Sequence, residues 1–414
     1  MSTSGFRWSL TTKVSIALGM LTLIAGVSFP QGQQKQQHPV PTWNDTIGPL
    51  IHERCVSCHR RGGVGPFRLD RYQDVKRRSH LVLEQVLERS MPPHFATSDI
   101  AEMGNIKRLN DQDLVDFQRW VHGESPEGEG SFEEYVYPGK WGGKEPDLIL
   151  KPDVTPTMPT EGNPVWKAVS IQLPDRDLYV RGFTIEPAAE QPTKHVLLGF
   201  VEGESDLNLW ETQGTIEAAD QLIGSWAPAY PMWELPEGVA IKIPAGSTLI
   251  AQLLFQPSGR EEIPDFELGL YLSEKPARQP RWINLEVTEF EIEPYDEPTL
   301  GTSHTFESDV EIINILPEAR FYAYSMKAFL AEPEGEESVL YYNPRWDPYW
   351  TGNYQFTPPV LARKGSTIRS AIVYDNEEHS VLNDGQKPKP VYSGHGLYDE
   401  ICRMRVLVVD RPIH

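Results

Sequence analysis

Three cysteines in 414 residues leave little room for thiolate metal chemistry. A zinc site wants a second Cys/His pair at ligand spacing, and beyond Cys55 and Cys58 the only cysteine is Cys402. Positive charge is also short. The chain has 38 Lys+Arg against 59 Asp+Glu, and the deficit falls in residues 131–414, with 23 basic and 45 acidic side chains against 12 and 14 in residues 38–130. An acidic surface repels nucleic acid and anionic membrane while favouring solubility, so neither is an expected partner. There is no Gly-rich phosphate loop, no Ser-His-Asp order, no H-E-x-x-H run and no short-period repeat. Histidine is sparse as well: beyond residue 130 stand only His195, His304, His379, His395 and His414, none within four positions of another.

Against these absences stands one dense motif, Cys55-Val56-Ser57-Cys58-His59. The C-x-x-C-H spacing attaches a haem covalently through both cysteines and supplies the proximal iron ligand from the histidine. The competing readings are a C-x-x-C redox pair, which wants a flanking strand–helix–strand context that is missing, and half of a zinc site, which lacks its second pair. The expected cofactor is therefore one covalent haem c, held by Cys55 and Cys58 and ligated by His59.

The amino terminus agrees with that expectation. Residues 1–13 carry Arg7 and Lys13 and no acid, and Val14 to Phe29 is an apolar run ending at Pro30 and a Gln-rich stretch. This is the pattern of an export signal, and haem c is assembled after export. The run is short of the ~20 apolar residues of a comfortable span, which favours cleavage, but no A-x-A site follows it, so an uncleaved amino-terminal anchor is the alternative. Either way the body is expected in the periplasm or at the cell surface, with membrane contact only through residues 1–37.

Residues 38–130 read as a small helical unit. Asn44 or Asp45 is placed to cap a helix through Ile47, Leu50 and Ile51 into the haem motif. A second helix is expected over Leu81–Arg89, with Leu83, Val86 and Leu87 on one face, stopped by Met91-Pro92-Pro93. A third begins at Asn110, with Asp113 in the capping-box position and Leu114, Phe117, Trp120 and Val121 as its apolar stripe. Met91, just past a helix end and followed by two prolines, is the expected distal iron ligand, since a thioether raises the potential into the electron-transfer range. Met103, His80 and His94 are its rivals. Arg60 and Arg61 are candidates to pair with haem propionates, or else an exposed basic pair.

From about Glu133 the pattern changes to short segments rich in β-branched and aromatic residues, bounded by Pro, Gly, Asp or Asn, among them Val165–Leu173, Leu249–Phe255, Phe266–Leu272 and Thr367–Tyr374. Regular short strands imply antiparallel sandwiches, and the length implies two, residues 131–280 and 281–414, with a break near Glu274–Pro280. The expected fold class is multidomain: a small all-α cytochrome c domain followed by two jelly-roll-like antiparallel β-sandwiches. The aromatic run Tyr341–Trp350, and Trp226, Tyr230 and Trp233, read as core packing ahead of sugar or partner binding.

Several motifs in order carry a family resemblance. The haem segment, with Gly62-Gly63-Val64-Gly65-Pro66-Phe67 and Met91-Pro92-Pro93, precedes Glu145-Pro146-Asp147-Leu148, Lys194-His195-Val196, Ile243-Pro244-Ala245-Gly246-Ser247, Gln252-Leu253-Leu254-Phe255, Tyr374-Asp375-Asn376 and Asp399-Glu400-Ile401. This order resembles bacterial c-type cytochromes fused to copper type II, ascorbate-dependent monooxygenases of the peptidylglycine α-hydroxylating kind. The resemblance implies two eight-stranded antiparallel sandwiches, each lending ligands to one copper across a cleft. In that family one copper takes a His-His pair and a third His, which fall here on Lys194, His195 and Leu254. The other takes His-x-His and a Met, which fall on Tyr324, Met326 and Ile401. Only His195 keeps a family ligand, with Met326 as a soft substitute, and copper(II) wants several converging imidazoles. The expectation is thus an exported single-electron carrier whose partner is an unidentified redox protein, with a sandwich pair that has lost its copper and serves as a docking scaffold. The alternative is a haem-coupled copper monooxygenase.

Overall fold

The computed structural model describes residues 39–93, 95–133, 139–189, 192–203, 222–274, 278–380, 382–383, 385–394 and 398–411. The export signal expected in residues 1–37 and the candidate ligand His94 lie outside these residues, as does part of the break near residues 274–280.

The first helix is reached through a π-turn, Trp43–Ile47, that runs into α1, Gly48–Arg54. Its capping box is formed by Thr42 and Asp45, not by Asn44 or Asp45 as cap: Asp45 sits at the third position and accepts from the Thr42 amide at 3.0 Å. Asn44 instead accepts from the Phe132 amide at 3.1 Å and donates to the Gly130 carbonyl, tying the helix start to the segment after the last helix. A short α2, Tyr72–Arg77, was not expected. The helix α3 covers Ser79–Leu87, two residues ahead of the expected span, and buries Val82, Leu83 and Val86. Leu87 is 45% exposed because it lies at the edge of that stripe as the helix ends. The last helix, α4, Asp111–His122, has the Asn110–Asp113 capping box and buries all four residues of its stripe. These helices share one apolar core with Trp43, Ile51, Val56 and Val75.

The remainder is antiparallel β-structure. One sheet orders β1 (Leu148–Leu150), β9 (Phe266–Leu272), β3 (Leu178–Pro187) and β6 (Met232–Glu234), with β7 (Ile241–Ile243) also on β3. Facing it is the sheet β2 (Val165–Ile171), β8 (Ser247–Phe255), β4 (Thr193–Glu202) and β5 (Leu222–Trp226). Phe183 and Leu268 from one sheet and Val196 and Leu253 from the other meet in a single core, which makes this pair a β-sandwich.

A second sandwich follows. Its sheets are β10 (Pro280–Val287), β20 (Cys402–Asp410), β14 (Val310–Glu318) and β17 (Tyr354–Ala362), against β12 (Thr299–Leu300), β18 (Thr367–Tyr374), β15 (Ala323–Ala331) and β16 (Glu337–Asn343). The strand β13 (Ser303–Thr305) joins β18, and a ribbon of β11 (Glu291–Ile292) and β19 (Val391–Tyr392) lies apart. Ile312, Met326, Leu340 and Val408 belong to its core. Residues from Val40 onward form one compact unit. Among the described residues no helix is long and apolar enough to cross a membrane.

The two sandwiches are packed on each other. Trp282, Ile313, Leu316, Leu407 and Val409 of the second join the core of the first, and the Trp282 indole donates to the Leu222 carbonyl at 2.8 Å. Beside this apolar patch lies a buried ionic layer. Arg405 and Arg403 are 0% and 2% exposed, Glu318 accepts from Arg405 Nε, and Glu286 pairs with Arg403 at 2.7 Å. Buried charges persist only when paired, so Glu318→Ala should destabilise the protein by about 3–5 kcal/mol. Urea unfolding checks this: joint replacement of Arg405 by Met and Glu318 by Leu should recover most of the loss, and equal damage from both variants would mean the pair is not the reason.

Candidate functional site

The five-residue motif sits where α1 ends. The amides of Cys55 and Val56 still donate to the Ile51 carbonyl, and those of Cys58 and His59 donate to the Cys55 carbonyl, so the helix tightens into turns that carry both thiols and the imidazole on adjacent positions. Beyond the motif the chain folds back on itself. The Gly65 amide donates to the Cys58 carbonyl at 2.9 Å, and the Leu69 amide to the His59 carbonyl at 2.8 Å. Glycine is required at that return: a Cβ on Gly65 would stand 2.6 Å from His59 Nδ1, and one on Gly63 would stand 2.3 Å from the Cys58 carbonyl oxygen.

This loop fixes the histidine. Nδ1 of His59 lies 2.9 Å from the Phe67 carbonyl, which has no proton to give, so Nδ1 carries the N–H and donates it. The other nitrogen, Nε2, is left as the lone-pair donor, the arrangement in which a second partner orients a ligating imidazole. Burial pushes the His59 pKa below its ordinary value, with the Phe67 hydrogen bond opposing, so the ring is neutral as a ligand must be.

Cys55, Cys58 and His59 line a cleft of about 880 Å³, open mouth included. Its other walls are mostly apolar, with Phe67, Leu69, Val82 and Val86 among them, and Met91 with Pro92 and Pro93 lines the same cleft. Met91 is held by its own turn: its amide donates to the Gln85 carbonyl at 3.2 Å, and the Ser90 hydroxyl donates to the Gln85 side chain at 2.7 Å. Of its rivals, Met103 is packed in the core of the second sandwich and His80 is exposed; neither lines the cleft, and His94 is not among the described residues. Neither Arg60 nor Arg61 lines this cleft. Arg60 lines an adjoining cavity, which shares Ser57 and Val64 with it, and Arg61 is exposed; the cations on the cleft are Arg54 and Lys194.

Neither thiol is in a disulfide. Burial pushes the Cys55 thiol up to about 12, with Cys58 adding to the shift and Lys107 and Arg54 opposing it. Two thiols, a tautomer-fixed imidazole and a thioether on one apolar cleft fit a haem c.

Of the positions carried over from the copper monooxygenases, Lys194, His195 and Leu254 do stand together, but only His195 among them is an imidazole. His195 is buried, paired in register with Leu254, and edge-on to the Trp166 ring at 6.2 Å. Its Nε2 has no hydrogen-bond partner, and burial lowers its pKa to about 4, with the Glu318 carboxylate opposing. Met326 is wholly buried in the second sandwich, and Tyr324 is 59% exposed. Among the described residues no group of three or more His, Cys, Asp or Glu lies within reach of a common metal. The aromatic run is largely packed: Tyr341 and Trp346 are buried, and Tyr341 and Tyr230 both stack against Tyr354, at 4.9 and 5.5 Å between ring centroids.

Two residues of the cleft were given other roles by the sequence. One is Lys194, an extra residue in β4: Thr193 pairs with Phe255 and His195 with Leu254, so Lys194 is a bulge and stands on the cleft. The other is Trp350, from the 3-10 turn Pro348–Trp350, which packs against β4 and lines the same cleft.

No protein-family model matches this sequence, and no curated protein matches it. Among solved structures, the chain is similar to PBCV-1 VP54 fitted into a reconstruction of the virophage Sputnik, at 7% identity over 64% of this chain and 92% of that one, with a TM-score of 0.21. The infectious bursal disease virus VP2 subviral particle gives 10% identity over 64% and 71%, with a TM-score of 0.20. Overlaps at that level carry no argument about this chain, whose sandwiches are defined by their own strand pairing.

Proposed function

We propose that this protein is an exported c-type haem protein that carries single electrons, in which His59 and Met91 would ligate the iron and Cys55 and Cys58 would anchor the haem covalently. The observation that carries the reading is the convergence of those four side chains on one apolar cleft, with His59 Nδ1 committed to the Phe67 carbonyl. The haem supplies the one-electron chemistry. The chain presents Nε2 of a neutral imidazole, sets a thioether in the same cleft and lines it with apolar side chains. Burial in apolar surroundings and thioether ligation both favour the ferrous form, the tuning of an electron-transfer site. The small helical unit is then a cytochrome c domain, and the acidic sandwich pair is a scaffold that docks it to a redox partner.

The sequence reading of lost copper ligands stands as part of this proposal. One imidazole with a partnerless nitrogen, opposite Leu254, offers copper too few donors. Protein matured in a host that exports and assembles haem c should contain one iron per chain and, after copper loading and dialysis, less than one tightly held copper. Two retained coppers with ascorbate-dependent oxygen uptake, lost in His195→Ala, would overturn the carrier reading in favour of a monooxygenase.

A further inference from the structure

The haem cleft is not a property of the helical unit alone. Lys194 comes from β4 of the first sandwich and Trp350 from a turn of the second, and both line the cleft that holds Cys58, His59 and Met91. The motif itself touches the first sandwich: Cys58 Sγ lies 4.0 Å from the Pro228 carbonyl oxygen. Lys194 is there because β4 carries an extra residue, and bulges of this kind re-aim a side chain that regular pleating would send elsewhere.

What Lys194 does in the cleft follows from its charge. Arg54, the other cation lining the cleft, pairs with Glu53 at 3.2 Å. Lys194 is half-buried and has no acidic partner among the described residues. A partly desolvated ammonium among apolar walls is unfavourable unless an anion joins it. A haem brings two carboxylates into this cleft.

We propose that the sandwich pair completes the haem pocket, with Lys194 as the cation that meets a haem propionate and Trp350 closing the wall beside it. This rests on the haem reading above. Lys194 is a positioning and tuning residue. Its charge favours the ferrous haem, which carries one positive charge fewer than the ferric, and so raises the potential. It also makes the sandwiches part of the redox site, so that their packing bears on the haem's potential.

The test compares Lys194→Gln, Lys194→Met and Lys194→Arg in the haem-loaded full-length protein, by spectroelectrochemical titration at fixed pH and resonance Raman of the propionate bending modes. The two neutral variants should keep haem covalently bound, lower the potential and shift those modes, while Lys194→Arg should restore both towards wild type. An unchanged potential and unchanged propionate modes in both neutral variants would overturn the assignment of Lys194 with the haem reading intact. So would an equal fall in all three variants, which marks a packing role. A wild-type chain that carries no haem would overturn the haem reading itself.

Discussion

Replacing both Cys55 and Cys58 with alanine is expected to abolish covalent haem completely. On the proposed reading two thioether bonds would tie the porphyrin of the wild type to the turn after α1, so haem should stay with the polypeptide through denaturation and acid–acetone extraction. Either single variant keeps one thioether and should still retain haem. The double variant keeps His59 and Met91 on the cleft, so any haem it binds is held by coordination and packing alone, and the same extraction should release all of it. The series separates attachment from pocket formation. Quantitative release of haem from the wild type would sink the c-type assignment, and with it the roles given to His59 and Met91. No outcome depends on the redox partner.

The parts of this site that the sequence announces are those whose chemistry is local. Thioether attachment and proximal ligation need Cys55, Cys58 and His59 within one turn of chain, so five consecutive residues state them. The helix α4 is equally plain: the Asn110–Asp113 capping box and the Leu114, Phe117, Trp120 and Val121 stripe are set by i to i+3 and i to i+4 geometry and need no distant partner. The start of the first helix was misread by a small shift of the same logic. Asp45 is the third-position member of a box whose cap is Thr42, and reading the acid as the cap moves the boundary by three residues.

Non-local pairing hides the rest. Nothing in Thr193-Lys194-His195 reveals a bulge, because the extra residue exists only relative to the Phe255 and Leu254 that β8 sets opposite it. Along β20, Arg403 and Arg405 alternate with Cys402, Met404 and Val406, which on a half-exposed strand would turn both arginines to water. They are instead buried against Glu318 and Glu286, because the outer face of that sheet is covered by the other sandwich. Trp350 faces the same difficulty. Its run of aromatics reads as packing, and most of it is, but the single ring that reaches the cleft of Cys58, His59 and Met91 is selected by how β4 meets the turn at residues 348–350.

Met91→Ala is the second variant with a large expected effect, and it tests the ligand that the C-x-x-C-H motif does not specify. Thioether coordination of a ferric low-spin haem gives a weak far-red charge-transfer band and a high potential, because the soft sulfur favours ferrous iron. Alanine removes the sulfur while leaving His59, its Phe67 hydrogen bond and both cysteines in place. The variant should keep covalent haem, lose the far-red band, bind carbon monoxide readily in the ferrous state, and show a potential lower by on the order of 0.1 V or more, within the ~0.8 V span that axial ligands command. The turn offers no easy replacement. Pro92 and Pro93 have no side-chain donor, His80 is exposed, and Met103 is packed in the core of the second sandwich, joined by a β-bridge to Phe356. Retention of the band and the potential in Met91→Ala would move the sulfur ligand to another methionine. A low potential and no far-red band already in the wild type would point to a nitrogen ligand such as His94 and to a carrier of low potential.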